Sequence, residues 1–319
     1  MNSVDSRYSL KKKVGEGSFG EIWLSYDLQS GLPVALKLEK ADCPFPQLLH
    51  EAKVLQRLRG GPGLPRVLDW GYGEDCVYLA MTLLGPSLKE LVSAVGGRLS
   101  VKTTLMVGEQ VLCRLHYIHS KHYLHRDLKP ENLLLGLDSS QSLVHLVDFG
   151  LAKKFRDPVS GTHIAYSDGK GLSGTSRYTS VNTHVGIEQS RRDDIEGLGY
   201  VMVYLLRGSL PWQGLTVRTK EERYQRTMEV KLAISPAELC EGLPEEISIL
   251  LQYARSLAFE QAPDYTYLRR LLKDLITRLG ETYDYQYDWT GTTAYRQLET
   301  WMTTDHYQSE ESTSRCSIA

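Results

Sequence analysis

Two short polar segments carry residue types that suit the chemistry of phosphates and metal ions. Residues 125–132 read His-Arg-Asp-Leu-Lys-Pro-Glu-Asn, which sets Asp127 five positions before Asn132, and residues 148–150 read Asp-Phe-Gly. Carboxylate and amide oxygens are the ligands that a hard cation such as Mg²⁺ prefers. Taken singly, each aspartate is equally typical of a turn in which it has a capping role. A metal site is therefore indicated only if the two segments occur together with other phosphate-binding residues of the chain.

A glycine-rich segment near the start of the chain could bring main-chain amides close to a phosphate group. Residues 15–20 read Gly-Glu-Gly-Ser-Phe-Gly, and glycine allows such an approach because it has no Cβ. The pattern alone is weak, since a glycine-rich hairpin turn also produces it. A P-loop would need Lys and Ser or Thr where Glu21 and Ile22 stand, and a dinucleotide fold would need a helix where residues 21–26 predict a strand. Strand, glycine loop and strand fit a flap over a nucleotide.

A lysine in a predicted strand is the next candidate for phosphate binding. Residues 34–37 read Val-Ala-Leu-Lys, and Glu51 lies midway along the helix that is predicted after them. The alternative is a solvated surface pair of Lys37 and Glu51, which would contribute less than about 1 kcal/mol. On these two residues alone, the surface pair is the simpler interpretation.

The elements that must position these residues follow from hydrophobic periodicity. Alternating apolar residues from Tyr8 to Leu38 predict three antiparallel strands, and two more strands are predicted around 67–70 and 76–83. Apolar residues at helical spacing between 48 and 58 predict one helix. Helical periodicity then continues in six later segments, 87–95, 100–119, 193–206, 219–232, 244–259 and 264–279. The sequence therefore predicts an α+β protein that begins as a sheet with one helix and continues as a mainly helical part.

Length and composition limit the classes of protein to be considered. The chain has 319 residues, of which 41% are apolar and 24% charged, which is typical of two domains or one two-lobed unit and excludes disordered and fibrous classes. Lys plus Arg number 37 against 39 Asp plus Glu, so the net charge of −2 gives no argument for nucleic acid or an anionic membrane as a partner.

Cysteine usage and apolar runs bear on the compartment. The five cysteines are unclustered, which argues against a disulfide framework and a structural zinc site and favours a reducing compartment. The first residues lack the pattern of a signal peptide, and the longest apolar run, residues 198–206, is far shorter than a membrane span. We therefore expect an intracellular, soluble protein without a membrane span.

The motifs described above occur together in one order, and in this the chain resembles the protein kinase superfamily from about Tyr8 to Tyr287. The resemblance implies a bilobal protein-kinase fold, with an antiparallel five-stranded sheet plus one helix in the N-lobe and a mainly α-helical C-lobe. It implies an ATP-binding lobe over 1–84 and a catalytic and substrate-binding lobe over 85–293. We expect 294–319 to be a flexible, acidic tail rich in serine and threonine. The implied cofactors are ATP and Mg²⁺.

The resemblance also implies a role for each polar residue of the motifs. Asp127 would orient the attacking hydroxyl group and Lys129 would steady the transferred group, while Asn132 and Asp148 would hold Mg²⁺. Thr175 resembles the threonine that bridges such a lysine and aspartate in serine/threonine kinases. The residues implied in ATP binding are Val14, Gly15, Gly17, Ser18, Gly20, Ile22, Ala35, Lys37, Glu51, Met81, Leu84 and Leu134. For the apolar residues of this set, plain core packing is the alternative.

One departure from the general kinase pattern points to a branch of the superfamily. The motif Ala-Pro-Glu expected after Asp-Phe-Gly is missing, and residues 179–184 read Thr-Ser-Val-Asn-Thr-His instead. Together with Gly-Thr-Ser-Arg-Tyr at 174–178 and Leu-Pro-Trp-Gln-Gly at 210–214, this segment resembles the casein kinase 1 family. That resemblance implies transfer of the γ-phosphoryl group of MgATP to serine or threonine in acidic or phosphate-primed protein substrates.

The local charge is compatible with an anionic substrate. Residues 149–227 contain twelve Lys plus Arg against eight Asp plus Glu, although the whole chain is slightly acidic. Guanidinium groups suit phosphate because their planar fork matches its oxygens. The resemblance implies one anion pocket formed by Arg177, Gln213, Gly214 and Arg223 and a second formed by Arg126, Lys153 and Lys170. The alternative is a set of scattered surface cations.

Partners, location and regulation are expected from the same resemblance. It implies protein substrates as partners, no direct contact with nucleic acid, and a monomer in the cytoplasm, with the nucleus as a second location. It also implies constitutive activity. Phosphorylation of the tail could lower that activity by loading the basic groove, and a merely solvated tail is an equal alternative. The competing classes are a small-molecule kinase, against which the segments after Gly174 argue, and a pseudokinase scaffold, against which Lys37, Asp127, Asn132 and Asp148 argue.

Overall fold

The N-terminal part of the chain forms one antiparallel sheet with a helix on one face. The computed structural model describes residues 3–17 and 20–297. The strands of the sheet are β1 (Ser3–Val4), β2 (Tyr8–Gly17), β3 (Gly20–Asp27), β4 (Pro33–Lys40), β5 (Val67–Tyr72) and β6 (Cys76–Thr82). They lie in the order β1-β2-β3-β4-β6-β5. The five predicted strands and the α+β class are confirmed, and β1 is an addition at the edge of the sheet.

The short strand β1 could not be predicted because it has no periodicity of its own. Val4 pairs with Tyr8 across a tight turn, in which Asp5 and Ser6 adopt φ values of 51° and 50°. Val4 and Tyr8 are both buried in a small apolar cluster with Val34. Packing of Val4 in this cluster, rather than any local sequence pattern, therefore accounts for the additional strand β1.

Strand β4 has two faces with different functions. Val34 and Leu36 belong to the small cluster on one face of the sheet. Because side chains alternate along a strand, Lys37 and Glu39 lie on the opposite face, and both are buried. The helix α1 (Leu48–Arg57) covers this face and contributes Leu48, Ala52, Val54 and Leu55 to the main core. The predicted helix is therefore confirmed, and it packs on the strand that carries Lys37.

The remainder of the described chain is mainly helical, as predicted. The helices are α2 (Leu88–Ala94), α3 (Val101–Ser120), α4 (Val181–His184), α5 (Arg191–Arg207), α6 (Lys220–Ala233), α7 (Pro236–Leu239), α8 (Glu245–Ser256) and α9 (Tyr265–Arg278). Helices α3 and α5 form the centre of this part and are almost entirely buried. Gly108 allows their close approach, because a Cβ there would lie 2.8 Å from the sulfur of Met202.

The long irregular stretch between α3 and α5 contains four short strands. The strand β7 (Tyr123–Leu124) pairs with β10 (Lys153–Lys154), and β8 (Leu133–Leu135) pairs with β9 (Val144–Leu146). The segment 125–132 connects β7 to β8, and the segment 148–150 lies between β9 and β10, so each is anchored by a paired strand on both sides. The stretch is therefore ordered by its own pairing, although most of its length is loop.

Two further observations bear on the ends of the chain and on membranes. Trp289 and Tyr295 are buried in the main core, so the chain is packed at least to Tyr295. Residues 298–319 of the predicted flexible tail, which is expected over 294–319, lie outside the described residues. The predicted ATP-binding residue Ser18 lies outside them as well. Within residues 3–17 and 20–297, no helix has the length and apolar character that crossing a lipid bilayer requires.

Candidate active site

Lys37, Glu51 and Asp148 form a buried ion-pair network between the sheet, α1 and the Asp-Phe-Gly segment. Lys37 Nζ lies 2.6 Å from Glu51 Oε2 and 2.9 Å from Asp148 Oδ1. Glu51 Oε1 accepts a hydrogen bond of 3.1 Å from the main-chain amide of Phe149. Lys37 is 6% exposed and Glu51 1% exposed, so the interpretation as a solvated surface pair is wrong. A buried pair of this kind persists only because each charge has partners.

The charges in this network shift one another's protonation. Burial alone would lower the pKa of the Lys37 ammonium, but the carboxylates of Glu51 and Asp148 outweigh burial and raise it. Burial alone would raise the pKa of Asp148, but Lys37 outweighs burial and holds it below its usual range. The site therefore presents a fixed positive charge beside an ionised carboxylate at neutral pH.

Asp127 has each carboxylate oxygen bound by a different partner. Oδ2 lies 2.5 Å from Lys129 Nζ. Oδ1 accepts two hydrogen bonds of 2.7 Å from Thr175, one from its amide and one from its hydroxyl group. The amide nitrogen of Asn132 donates to the main-chain oxygen of Asp127 at 2.9 Å. The structure thus brings together all four residues that were predicted to be catalytic.

The loop of residues 125–132, which we call the catalytic loop because it carries the predicted catalytic residue Asp127, is braced from α5 by the buried carboxylate of Asp194. Its Oδ2 accepts from the amide of His125 and its Oδ1 from the amide of Arg126, both at 2.9 Å. Arg126 and Asp148 have φ values of 71° and 66°, a left-handed conformation that costs a non-glycine residue free energy. The hydrogen bonds of Asp194 offset that cost at Arg126 and fix the direction of the chain into Asp127.

The donor set fits a magnesium ion that arrives with a nucleotide. Mg²⁺ is usually bound by one or two carboxylates together with substrate phosphates and water. Asp148 uses Oδ1 for Lys37, so Oδ2 is left for a cation. Asn132 uses its amide nitrogen for Asp127, so its oxygen is left. In the part of the chain that the structure describes, no group of three or more His, Cys, Asp and Glu could hold a metal by itself.

The glycine-rich segment forms the predicted strand, glycine loop and strand. Gly15 pairs with Ile22 and Gly17 with Gly20 across the β2–β3 hairpin. Gly20 has φ +139°, and a Cβ on it would lie 1.9 Å from the main-chain oxygen of Leu38. Only glycine therefore fits at position 20, and the hairpin keeps its main chain close to β4, which carries Lys37.

The apolar residues predicted to bind ATP fall into two groups. Met81 is buried in the main core and pairs with Ala35 in the sheet. For Met81, the structure therefore agrees with the alternative of plain core packing. The others are half-buried, and among the described residues they belong to neither apolar cluster: Val14, Ile22, Ala35, Leu84 and Leu134. Half-buried apolar side chains outside a core are typical of a cleft that receives a flat apolar ligand.

The first predicted anion pocket is brought together in part. Trp212 Nε1 donates to the main-chain oxygen of Arg177 at 2.8 Å, so the turn with Gln213 and Gly214 lies beside the loop with Arg177. Gln213 uses its side-chain oxygen for the amide of Leu210 at 2.6 Å, which leaves its amide nitrogen for an anion. Arg223 is an exposed residue on α6.

The second predicted anion pocket contains a carboxylate that the sequence did not reveal. Glu188 Oε2 lies 2.8 Å from Lys153 Nζ and 3.8 Å from Lys170 Nζ. Arg126 donates from Nε to the main-chain oxygen of Leu151 at 2.7 Å. Burial alone would raise the pKa of Glu188, but Lys153 outweighs burial and lowers it. Two lysines thus pair with one carboxylate, and Arg126 lies near enough for the charge of Glu188 to act on it, so three cations face one resident carboxylate.

Three residues that the sequence did not mark support parts of the site, namely Glu188, Glu39 and Lys231. Glu39 binds main-chain amides at the start of α1, at Gln47 and Leu48. Lys231 on α6 binds the main chain on both sides of Arg177. For Glu39 a signal existed, because it lies two positions after Lys37 on the same face of a strand. For Lys231 and Glu188 the sequence offers no signal, since their partners are distant in the chain.

The family model described as protein kinase domain matches residues 8–280. The matched range runs from β2 through α9 and contains every site residue described above.

Proposed function

This chain belongs to the protein kinase domain family, and on that premise we propose that it is a serine/threonine protein kinase of the casein kinase 1 type. It transfers the γ-phosphoryl group of MgATP to serine or threonine in acidic or phosphate-primed protein substrates. Membership of the family supports the protein kinase activity itself, and kinase domains generally use ATP and Mg²⁺. Serine or threonine as the acceptor residue and the preference for acidic or primed substrates go beyond what family membership supports, and they are the proposal.

The observation that carries the proposal is the contact of Asp127 with both Lys129 and Thr175. Lys129 Nζ lies 2.5 Å from Asp127 Oδ2 and 3.4 Å from Thr175 Oγ1. A carboxylate that orients a hydroxyl group and a cation that balances phosphoryl charge are thus side by side. This arrangement suits phosphoryl transfer to an aliphatic hydroxyl, in which catalysis is mainly positioning and charge stabilisation.

The residues of the chain divide the work of transfer between them. Bound MgATP supplies the phosphoryl group and a cation that neutralises its developing charge. Lys37, held between Glu51 and Asp148, adds a fixed positive charge at the phosphate end of the cleft. Asp127 accepts a hydrogen bond from the acceptor hydroxyl group and aims it at the phosphorus. The half-buried apolar side chains of the cleft exclude water from the base.

The preference for acidic or primed substrates is supported by the charges beside the catalytic loop. Arg177 is half-buried next to the turn that carries Gln213 and Gly214. A partly desolvated guanidinium binds phosphate more strongly than a fully exposed one, because local screening is weaker. The cluster of Arg126, Lys153 and Lys170 adds net positive charge around Glu188.

Transfer to peptides tests the reaction and the acceptor together. Labelled MgATP and a positional peptide library with Ser, Thr or Tyr acceptors should give labelled serine and threonine peptides and unlabelled tyrosine peptides. Upstream acidic residues should increase labelling, and the increase should shrink at high salt. Asp127→Asn should lower kcat by at least about 100-fold. ATP binding without any labelling would indicate a scaffold, and labelling of free sugars or aminoglycosides would indicate a small-molecule kinase.

Substitution of single arginines tests the substrate class. Arg177→Ala or Arg223→Ala should lower kcat/KM about tenfold or more on a peptide with phosphoserine three residues before the acceptor. The unprimed peptide should change far less. Arg226→Ala is the matched control on α6, because Arg226 is exposed and pairs with Glu229 on its own helix at 2.9 Å. Equal losses on both peptides would reject the pocket.

A further inference from the structure

Lys231 is a lysine whose burial needs an explanation. It lies on α6, a helix in which only Thr227 and Lys231 are buried, and it is 0% exposed. Burying an amine without hydrogen-bond partners costs several kcal/mol. A residue of this kind on an otherwise solvated helix therefore has partners that offset the cost.

The partners of Lys231 are main-chain atoms of the loop next to the catalytic site. Its Nζ donates to the oxygen of Ser176 at 2.8 Å and to that of Thr179 at 2.5 Å. It also lies 3.2 Å from His184 Nε2. Two aromatic rings flank the amine, with centroids 4.7 Å away in Tyr200 and 4.9 Å away in Trp212. The amine is thus enclosed by carbonyl oxygens, an imidazole and two ring faces.

The protonation of this cluster does not decide whether the two main-chain bonds form. Burial lowers the pKa of Lys231 well below its usual value. The charge of Glu196 opposes this effect, and that of Arg255 adds to it. Burial and then Lys231 lower the pKa of His184 to about 4, so His184 is neutral at neutral pH. His184 Nε2 also lies 3.1 Å from the oxygen of Ser176, to which it donates when it carries the ring proton; in the other tautomer it accepts from the Lys231 ammonium. In both cases Lys231 can donate to the two carbonyls, because even a neutral amine has two hydrogens.

The loop that Lys231 binds is fixed at both ends. At one end, Thr175 donates to Asp127 from its amide and hydroxyl group. In the middle, the oxygen of Arg177 accepts from Trp212. At the other end, Lys231 binds the oxygen of Thr179. The main-chain oxygens of Ser176, Arg177 and Thr179 therefore all accept from Trp212 or Lys231. Arg177 thus lies in a loop that these bonds hold on both sides of it.

We propose that Lys231 is a positioning residue, which holds the loop 175–179 through its main-chain carbonyls so that Thr175 meets Asp127 and Arg177 meets the substrate. The proposal explains how the loop is tied to the helical part in a chain without Ala-Pro-Glu after Asp-Phe-Gly. Because the bonds go to main-chain atoms, they set the position of the loop whatever its side chains are. The effect on substrates rests on the proposed kinase function, whereas the effect on the loop does not.

Lys231→Met tests the proposal, because methionine keeps the length and apolar stem of lysine and removes the donors. We expect hydrogen exchange of the amides in 174–180 to become at least tenfold faster, with exchange in α3 and α5 unchanged. We expect the KM for an acidic peptide to rise about tenfold or more while the KM for ATP stays within twofold of the parent. Lys220→Met is the matched control, since Lys220 is exposed on the same helix, and it should change none of these.

Each other outcome decides the question as well. A folded Lys231→Met protein with parental loop exchange and parental peptide KM overturns the proposal, as does faster exchange spread evenly over the helical part. If Lys231→Met does not fold, Lys231→Gln keeps an NH₂ donor on a shorter side chain that reaches the two carbonyl oxygens less well, and it should speed exchange in 174–180 to a smaller extent. No change there overturns the proposal. If the parent labels no protein, the proposed function fails, and loop exchange still tests the role of Lys231.

Discussion

At the scale of single residues, the two oxygens of Asp127 have different environments. Oδ2 faces the Lys129 ammonium, and Oδ1 accepts from the amide and hydroxyl group of Thr175. A carboxylate with its lone pairs assigned in this way has one orientation, and general-base efficiency depends on such orientation. Under the proposed function, the hydroxyl group of Thr175 therefore contributes to catalysis by fixing Asp127.

Replacement of Thr175 tests this contribution. Thr175→Val keeps the shape of the side chain and removes the hydroxyl group, and we expect kcat to fall about 10- to 100-fold because Asp127 loses one of its fixed donors. Thr175→Ser keeps the hydroxyl group and should retain most of the parental kcat. Steady-state kinetics with varied ATP and peptide measure both. A Thr175→Val protein with parental kcat would show that the amide of Thr175 orients Asp127 alone.

The candidate catalytic residues could be picked out in the sequence by type, but their mutual positions could not. Asp127 and Asn132 lie within one short segment, so their spacing is visible in the chain. Lys37 and Asp148 are 111 positions apart, and only the folded chain shows that their side chains are 2.9 Å from each other. Glu188 stayed unrecognised for the same reason, because its partner Lys153 is 35 positions away.

At the scale of elements, the strand β4 binds helix α1 at two points. Lys37 binds Glu51 in the middle of the helix. Glu39 accepts hydrogen bonds from the amides of Gln47 at 2.9 Å and Leu48 at 3.3 Å, at the start of the helix. Gln47 at the N-cap makes no side-chain capping bond of its own. Glu39 therefore serves as the cap from a neighbouring strand, and its charge complements the helix dipole.

Replacement of Glu39 tests whether this second point matters for nucleotide binding. Glu39→Ala should lower the free energy of unfolding by about 1 kcal/mol, as loss of an N-cap does, and should raise the KM for ATP because Glu51 is held less firmly. Glu39→Gln keeps an acceptor oxygen and should have a smaller effect on both. Urea unfolding and ATP kinetics measure these changes, with Lys40→Ala on the same strand as control. An unchanged free energy of unfolding and an unchanged KM for ATP in Glu39→Ala would mean that α1 does not need the Glu39 hydrogen bonds to hold its position.

Secondary structure was predictable wherever an element shows its own periodicity. The alternation in β4 and the helical spacing in α1 predicted both elements, but not that Lys37 and Glu51 face each other inside the molecule. The capping residue Thr219, which accepts from the amide of Glu222, lies just before α6, whose predicted range of 219–232 is close to the observed one. That Lys231 is buried could not be predicted, because its partners Ser176 and Thr179 are 55 and 52 positions away.

At the scale of the whole molecule, a buried carboxyl group makes stability depend on pH. Asp193 lies in the first turn of α5 and accepts from Ser180 Oγ at 2.5 Å and from the amide of Ser190 at 2.7 Å. Burial nevertheless raises the pKa of Asp193 to about 7. Between about pH 4 and pH 7 the folded protein therefore keeps a proton that the unfolded chain has released.

The sign of this effect gives a prediction. Because the folded state binds more protons at Asp193, its contribution to the free energy of unfolding falls as the pH rises through this window, by at most about 1.4 kcal/mol per pH unit. Asp193→Asn removes the titrating group, so its stability should decline less between pH 5 and pH 7.5 than that of the parent. Urea unfolding at both pH values measures the difference. An identical decline in both proteins would contradict the raised pKa.

The bond between Glu51 and the amide of Phe149 has a consequence for inhibitor design. The ring of Phe149 is fully buried and packs edge-on against His125, with centroids 5.0 Å apart. A drug-like compound that needs this ring displaced must first break the Glu51 bond and the aromatic contact, and its apparent affinity drops by the fraction of molecules that have done so. A compound that contacts only the half-buried apolar side chains of the proposed ATP site leaves both contacts intact and meets no such penalty. Chemical screening against this protein should therefore return mostly compounds of the second kind.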